Sequence, residues 1–373
     1  MKRRRALALC LGCLCMVFLW PVREARGESL STGARGAALI EASSGRILYE
    51  SHGNDPLPMA STTKIMTALI ALERGDLQEL IPVPREAEGT EGSSMYLTAG
   101  ERLSLEDLLY GLMLTSGNDA AVAIALYFGG SLEGFAALMN DKARELGCAD
   151  THFVTPHGLH DPEHYTTALD LCRIARAAME TEAFAKIVST RYHKTSTGSR
   201  VRTLKNKNKT LWSCEGGCGI KTGFTKKAGR CLVFAARQAG MLLIGTVLNC
   251  PDMWQDAFSM LRYGFDTYAL EPMVDASRPL CQVEVTGSDK KALPAVVKTG
   301  ILYPIRKDGS DRTRLARSLP TRLAAPIEAG QRIGQLTLYV NDVPVLTREI
   351  LAAQSAAPPD FLWYFKKMAA SFF

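Results

Sequence analysis

Three short groups of residues in this 373-residue chain carry side chains that can do covalent chemistry together. The first is Ser61-Thr62-Thr63-Lys64. A serine hydroxyl is a poor nucleophile until a neighbouring base takes its proton. A lysine serves as that base only when burial and a second cation bring its proton loss near neutral pH. Ser61 and Lys64 are three apart, which on a helix places them on one face. The second group, Ser116-Gly117-Asn118, offers a hydroxyl that can relay a proton to a leaving amine and an amide that can orient a peptide group. The third, Lys221-Thr222-Gly223, offers a fixed positive charge, a hydroxyl for a substrate carboxylate, and a glycine that lets a substrate backbone approach closely.

Each group alone has an ordinary structural use. Ser61 can cap a helix with Lys64 solvated in its first turn, and Ser, Gly and Asn are turn residues. Ser288-Asp289-Lys290-Lys291 repeats the first pattern in a polar stretch with no apolar helix behind it. Lys194-Thr195-Ser196 and Lys298-Thr299-Gly300 imitate the third.

The surrounding elements separate the true groups from their copies. Pro58 can start a helix but not extend it backwards. Ile65 to Leu72 is almost wholly apolar, predicting a helix wrapped by protein and ended by Gly75. Ser104-Leu105-Glu106-Asp107 resembles a capping box and predicts a helix to Leu114. Ser116–Asn118 then falls in a break before an apolar helix over 120–127. Gly219 to Phe224 reads as an edge strand, which can pair with an extended peptide. Strands over 231–236 and 241–248 follow, then an amphipathic helix over 252–268 with Trp254, Phe258, Leu261, Phe265 and Tyr268 at helical spacing.

The ends of the chain have their own signals. Met1-Lys2-Arg3-Arg4-Arg5, an apolar run from Ala6 to Trp20 and Ala25-Arg26-Gly27 predict a secretory signal peptide over 1–27. That segment carries most of the net charge of +6, so the remainder is near neutral and no nucleic-acid partner is expected. Seven cysteines lie beyond it; Cys214 and Cys218 form the only close pair, and neither a metal nor a cofactor is expected.

Strands and a helix open the chain, helices fill its middle, and strands with one helix follow. This order predicts an α+β fold, a mainly antiparallel sheet with a helical region against it. Residues 28–274 form that domain in this reading. A small all-β domain follows over 275–352, and an amphipathic segment over 353–373. That segment starts after Pro358-Pro359, with Asp360 as a helix cap. Phe361 to Phe365, Lys366, Lys367 and Phe372-Phe373 are too short to span a bilayer and suit its interface.

In the order Ser-x-x-Lys, Ser-x-Asn, Lys-Thr-Gly, each group sits in the element its chemistry needs. This set occurs in penicillin-binding proteins and class A β-lactamases. The chain resembles a low-molecular-mass penicillin-binding protein, a serine-type D-alanyl-D-alanine carboxypeptidase, and most closely its spore-former members. The resemblance extends to Thr155-Pro156-His157-Gly158-Leu159, His164-Tyr165-Thr166-Thr167-Ala168-Leu169-Asp170 and Gly219-Ile220-Lys221-Thr222-Gly223-Phe224-Thr225. It implies that Ser61 is acylated by peptidoglycan stem peptides ending in D-Ala-D-Ala and by β-lactams as covalent inhibitors. Lys64 would be the base, and Ser116 and Asn118 would line the cleft. Lys221 and Thr222 would bind the terminal carboxylate, with Gly223 beside them. The backbone N–H groups of Ser61 and Phe224 would form the oxyanion hole. The same likeness implies a protein secreted across the bacterial cytoplasmic membrane and peripheral on its outer face through the tail. Where some relatives carry an arginine after the last strand of the sheet, this chain has Asn249-Cys250-Pro251-Asp252-Met253-Trp254.

Two other readings compete. A class A-like β-lactamase would need a Glu-x-x-x-Asn loop between Asn118 and Lys221, and none is present. A non-catalytic peptidoglycan-binding scaffold would not need Ser61, Lys64, Asn118 and Lys221 intact. His157 and His164 are expected to be structural, since no Gly-x-Ser-x-Gly turn accompanies them and Lys64 supplies a base.

Overall fold

The computed structural model describes residues 30–361 together with Trp363 and Met368. The expected signal peptide lies outside the described residues, as does most of the tail beyond 361. Asp360 does act as the expected cap: its Oδ1 accepts from Trp363 N at 2.8 Å.

The chain opens with β1 (Gly36–Glu41) and β2 (Ile47–Ser51). Buried Glu41 closes their turn by accepting from the backbone N–H and hydroxyl groups of Ser43 and Ser44. A 3-10 turn (Ala60–Thr63) leads into α1 (Lys64–Arg74). Gly75 ends α1 with extended backbone rather than the left-handed turn its position suggests. A side chain there would meet Phe128 Cζ at 2.5 Å, so this glycine is set by packing.

A ribbon of β3 (Leu80–Pro82) and β4 (Arg102–Ser104) precedes α2 (Leu105–Tyr110), capped by Ser104 Oγ at 3.2 Å from Asp107 N. The helix expected to run evenly to Leu114 instead widens into a π turn over Gly111–Thr115. Such single π turns are frequent at functional sites. α3 (Asn118–Gly129), α4 (Leu132–Glu145), α5 (Ala168–Met179) and α6 (Glu182–Ser189) follow, the last not anticipated from sequence. A second ribbon, β5 (Tyr192–Lys194) with β6 (Thr203–Lys205), and a short helix α7 (Thr210–Ser213) lead to β7 (Gly217–Thr225), β8 (Gly229–Gln238) and β9 (Met241–Leu248). α8 (Met253–Thr267) closes this part.

The main sheet has the order β2-β1-β9-β8-β7, antiparallel throughout, with β7 on the expected open edge. Alternation along its strands makes two cores. Ala38, Ile40 and Ile244 face the helical region, where α5 places the Cys172 thiol 3.6 Å from Ala38 O. Leu39 and Leu243 face the opposite side, against Gly264 of α8. α1 runs through the centre of the helical core with Ile65 to Ala71 buried and Leu72 partly so.

Beyond Thr267, β10 (Tyr268–Val274) pairs with β13 (Ile301–Arg306). Sequence grouping puts residues 268–274 at the end of the first domain, but their hydrogen bonds join them to the β-rich part. There β11 (Cys281–Thr286), β12 (Ala292–Val296), β14 (Thr313–Ser318), β15 (Arg322–Ala324), β16 (Arg332–Val340) and β17 (Val343–Ala352) form one sheet ordered β14-β16-β17-β12-β11-β15. Arg46 of the β1–β2 turn fastens the two parts. It makes paired bonds to Asp311 at 2.8 and 3.0 Å, bonds Pro304 O, and stacks over Tyr268 and Tyr303.

Candidate active site

Ser61 and Lys64 straddle the junction of the 3-10 turn and α1. Lys64 is fully buried and donates three bonds: to Ser61 Oγ at 2.9 Å, Asn118 Oδ1 at 2.6 Å and His157 O at 2.8 Å. All three acceptors are uncharged, so no contacting carboxylate offsets the cost of burying an ammonium. Burial, then the charges of Lys221 and Lys207, hold the Lys64 amine well below the usual lysine range; Asp119 opposes them without reversing the result.

Asn118 opens α3 and is fixed from two sides. Its Nδ2 donates to Glu91 O at 2.5 Å, and its backbone N donates to Ser93 O at 2.7 Å. The 93–97 loop is held in turn by buried Asp119, which accepts from Ser94 Oγ, Met95 N and Leu97 N. Ser116 leaves the π turn in the left-handed region, at φ 67°. Ala60 (φ 48°) and Ile220 (φ 101°) adopt the same unusual hand beside Ser61 and Lys221. Non-glycine residues held there store local strain, and such strain gathers at functional sites.

β7 carries the third group past Ser61. A side chain at Gly223 would lie 3.1 Å from both Ser61 N and Met59 O, so any larger residue would crowd the strand where it passes Ser61. Lys221 is 1% exposed and donates to Thr222 O at 2.9 Å. Burial, with Lys207 nearby, pushes its amine down to about 7. Thr222 points to the other face of the strand, and Phe224 beyond it is 65% exposed. Ser61, Ser116 and Thr222 open into one cleft of about 540 Å³. The structure thus brings all three sequence groups together and leaves Ser288 in the β-rich part, half-buried and bonded to neighbouring Asp289.

The two histidines are structural. His164 Nδ1 accepts from Val154 N at 2.9 Å, so the neutral ring carries its proton on Nε2, which donates to Thr63 Oγ1 at 2.8 Å. Thr63 in turn donates to Ala60 O. Burial lowers His164 to about 4, and burial with the Lys64 charge lowers His157 to about 3. Both are neutral near pH 7, and His157 acts on Lys64 through its carbonyl.

Comparison with known proteins gives this geometry its family. The family described as D-alanyl-D-alanine carboxypeptidase matches residues 23–252, and the penicillin-binding protein 5 C-terminal domain matches residues 268–357. The chain belongs to the D-alanyl-D-alanine carboxypeptidase family. Among its relatives, the D-alanyl-D-alanine carboxypeptidase DacF of Bacillus subtilis is 29% identical over 92% of this chain and 90% of that protein. The D-alanyl-D-alanine carboxypeptidase DacD of Escherichia coli is 30% identical over 85% of each chain. Penicillin binding protein 5 of Haemophilus influenzae superposes with a TM-score of 0.76 at 26% identity, over 88% of this chain and 99% of that one.

Sequence reasoning missed a set of cations on the cleft. Lys207, Lys209 and Arg230 all line it. From Val201 to Thr210 burial alternates strictly, with Arg202, Leu204, Asn206, Asn208 and Thr210 inward. That places Lys205, Lys207 and Lys209 outward on one side, a period-2 pattern readable in Lys205-Asn206-Lys207-Asn208-Lys209.

Proposed function

We propose that this protein removes the terminal D-alanine of peptidoglycan stem peptides through an ester on Ser61. The observation that carries the reading is the buried Lys64 ammonium, bonded to Ser61 Oγ with only neutral acceptors around it. In the neutral form Lys64 takes the Ser61 proton as Oγ attacks the carbonyl carbon of the D-Ala-D-Ala bond. The N–H groups of Ser61 and Phe224 hold the oxyanion. Ser116 passes a proton to the departing amine, and Asn118 keeps Lys64 in line. Thr222 and the charge of Lys221 beneath it favour an anionic chain end, while Gly223 lets the peptide backbone lie along β7. Water then cleaves the ester. No aspartate or glutamate lines the cleft among the described residues, so no carboxylate there activates water against a penicilloyl ester on Ser61. β-Lactams therefore act as covalent inhibitors.

The proposed domains are 28–267 for catalysis and 268–352 for the β-rich part, the boundary expected at 274 being moved to the start of β10 by its pairing with β13. We place the enzyme outside the cytoplasmic membrane, with residues 1–27 as its signal peptide and 353–373 resting on the outer face of that membrane. An N-acyl-L-Lys-D-Ala-D-Ala peptide should yield free D-alanine, and intact-mass analysis after benzylpenicillin should find one stable adduct, absent in Ser61→Ala. Rapid turnover of penicillin would favour a β-lactamase instead, and no adduct a scaffold. A chain ending at Ala357 should keep peptide hydrolysis and lose binding to anionic vesicles; retained vesicle binding would refute the anchor.

A further inference from the structure

The cleft contains a guanidinium that none of the three sequence motifs supplies. Arg230 stands on β8 directly opposite Phe224, and Thr222 is opposite Leu232. Cross-strand partners share a face of the sheet, and positions two apart return to that face. Thr222 and Arg230 therefore project from the same face as diagonal neighbours, a separation that long side chains bridge. Lys221 projects from the opposite face and is buried. A carboxylate that accepts from the Thr222 hydroxyl thus meets Arg230 on its own side of the strand and Lys221 only through the backbone.

Arg230 is also held in place for this use. Its Nη1 donates to Pro251 O at 2.8 Å, and its own carbonyl accepts from Cys250 N at 2.9 Å. These bonds tie it to the segment after β9. Among the described residues no carboxylate forms an ion pair with it, and the side chain is exposed to the cleft. The other two cations there are engaged differently: Lys207 Nζ donates to Thr115 O at 3.0 Å, and Lys209 Nζ lies 5.6 Å from the Trp254 ring. A planar guanidinium with one edge anchored and the other open matches the two oxygens of a carboxylate, which a lysine does not.

We propose that Arg230 binds the terminal carboxylate of the substrate together with the Thr222 hydroxyl, so that β8 adds a cation in direct contact with the free chain end to the buried charge of Lys221. This rests on the reading that the cleft takes peptides ending in a carboxylate. The test compares wild type, Arg230→Gln, Arg230→Lys and Lys209→Gln on an N-acyl-L-Lys-D-Ala-D-Ala peptide and its C-terminal amide. Acylation by benzylpenicillin and by its methyl ester is measured in parallel, with thermal unfolding as a check on folding.

Arg230→Gln should lower kcat/KM for the acid peptide and for benzylpenicillin by about 10- to 100-fold, mostly through KM. It should change the amide and ester rates by less than about threefold. Arg230→Lys should recover part of the loss, and Lys209→Gln should discriminate less than Arg230→Gln. Equal losses on acid and neutral ligands, or no loss on either, overturn the proposal. If wild type forms the penicillin adduct but releases no D-alanine, the peptidase reading fails, and the acid-to-ester ratio still decides Arg230. If wild type forms no adduct and hydrolyses no peptide, both fall.

Discussion

Among the described residues, two places bury a cation, and they do it in opposite ways. Arg202, under the β5–β6 ribbon, donates to both oxygens of Glu101 at 2.8 and 2.7 Å, and to Met95 O and Tyr96 O. Glu101 accepts further from Ser199 and Thr98. Every charge there has an opposite charge in contact, with side chains 6% and 2% exposed. On the floor of the cleft, Lys64 and Lys221 are just as buried, but only neutral oxygens touch them. The first arrangement keeps its carboxylate charged down to about pH 2. The second gives up a proton readily, which a base must do. The same sheet-and-helix scaffold holds both, so the distinction lies in whether a carboxylate is in contact rather than in depth.

The largest expected effect tests the lysine that must lose its proton. Lys64→Arg keeps a cation between Ser61 and Asn118 that does not deprotonate. Acylation by benzylpenicillin should fall by about 10³-fold or more, read as the second-order rate of adduct formation by mass. A near-normal rate would mean that Lys64 acts as a fixed charge, and the contrast with Arg202 would lose its meaning.

Breaking the paired site should cost stability instead. Arg202→Met leaves Glu101 buried without its cation, a loss of about 3–5 kcal/mol in urea unfolding. Adding Glu101→Leu to that variant should restore much of it. No recovery would show that the bonds of Arg202 to Met95 O and Tyr96 O matter more than the charge pair.

The same pair predicts a pH dependence. Burial alone would raise the Glu101 carboxyl, but the bonds from Arg202 and Ser199 outweigh it and hold the group at about 2, below its ordinary 4.5. The unfolded chain therefore takes the proton first as pH falls. The contribution is whole above about 4.5 and is lost between there and about 2, amounting to roughly 3 kcal/mol. Glu101→Gln should reduce this part of the acid sensitivity, leaving that of His157 and His164, whose lowered values act from 6.5 downward. Identical acid profiles for wild type and variant would refute the assignment.

How much of this contrast was readable beforehand differs between the two places. The cleft was legible because its residues follow local rules: Ser-x-x-Lys before an apolar run, a break between helices, and an edge strand. The α+β order and the open edge at β7 followed from the same patterns. The Glu101–Arg202 pair spans about a hundred residues of chain, and no local pattern joins an acid in a loop to one arginine among many. The left-handed Ser116 follows from a π turn, which has no sequence period of its own. Arg230 was missed for another reason. Its use depends on strand register, and a shift of one residue would turn it to the face of Lys221.

The smallest expected effect bears most directly on the comparison, because it asks the unpaired site to behave in the opposite sense to the paired one. Lys221 is held at about 7 by burial first and by Lys207 second, against an ordinary 10.5. A lysine with a lowered folded value is protonated in the unfolded chain over a range where it is neutral in the fold. Stability from this group should therefore rise with pH between about 7 and 10.5 and be lost as pH falls through 7. Near neutrality the buried ammonium opposes folding, and its one side-chain hydrogen bond among the described residues, to Thr222 O, offsets only part of that. Lys221→Met fills similar volume without the charge. It should raise stability at pH 7 by about 1–3 kcal/mol and flatten the rise toward pH 10.5. It should also remove a cation that depresses Lys64, moving the ascending limb of the acylation pH profile to higher pH. A destabilised Lys221→Met with an unmoved profile would mean that Lys221 is held as securely as Arg202, and that contact with a carboxylate is not what separates the two sites.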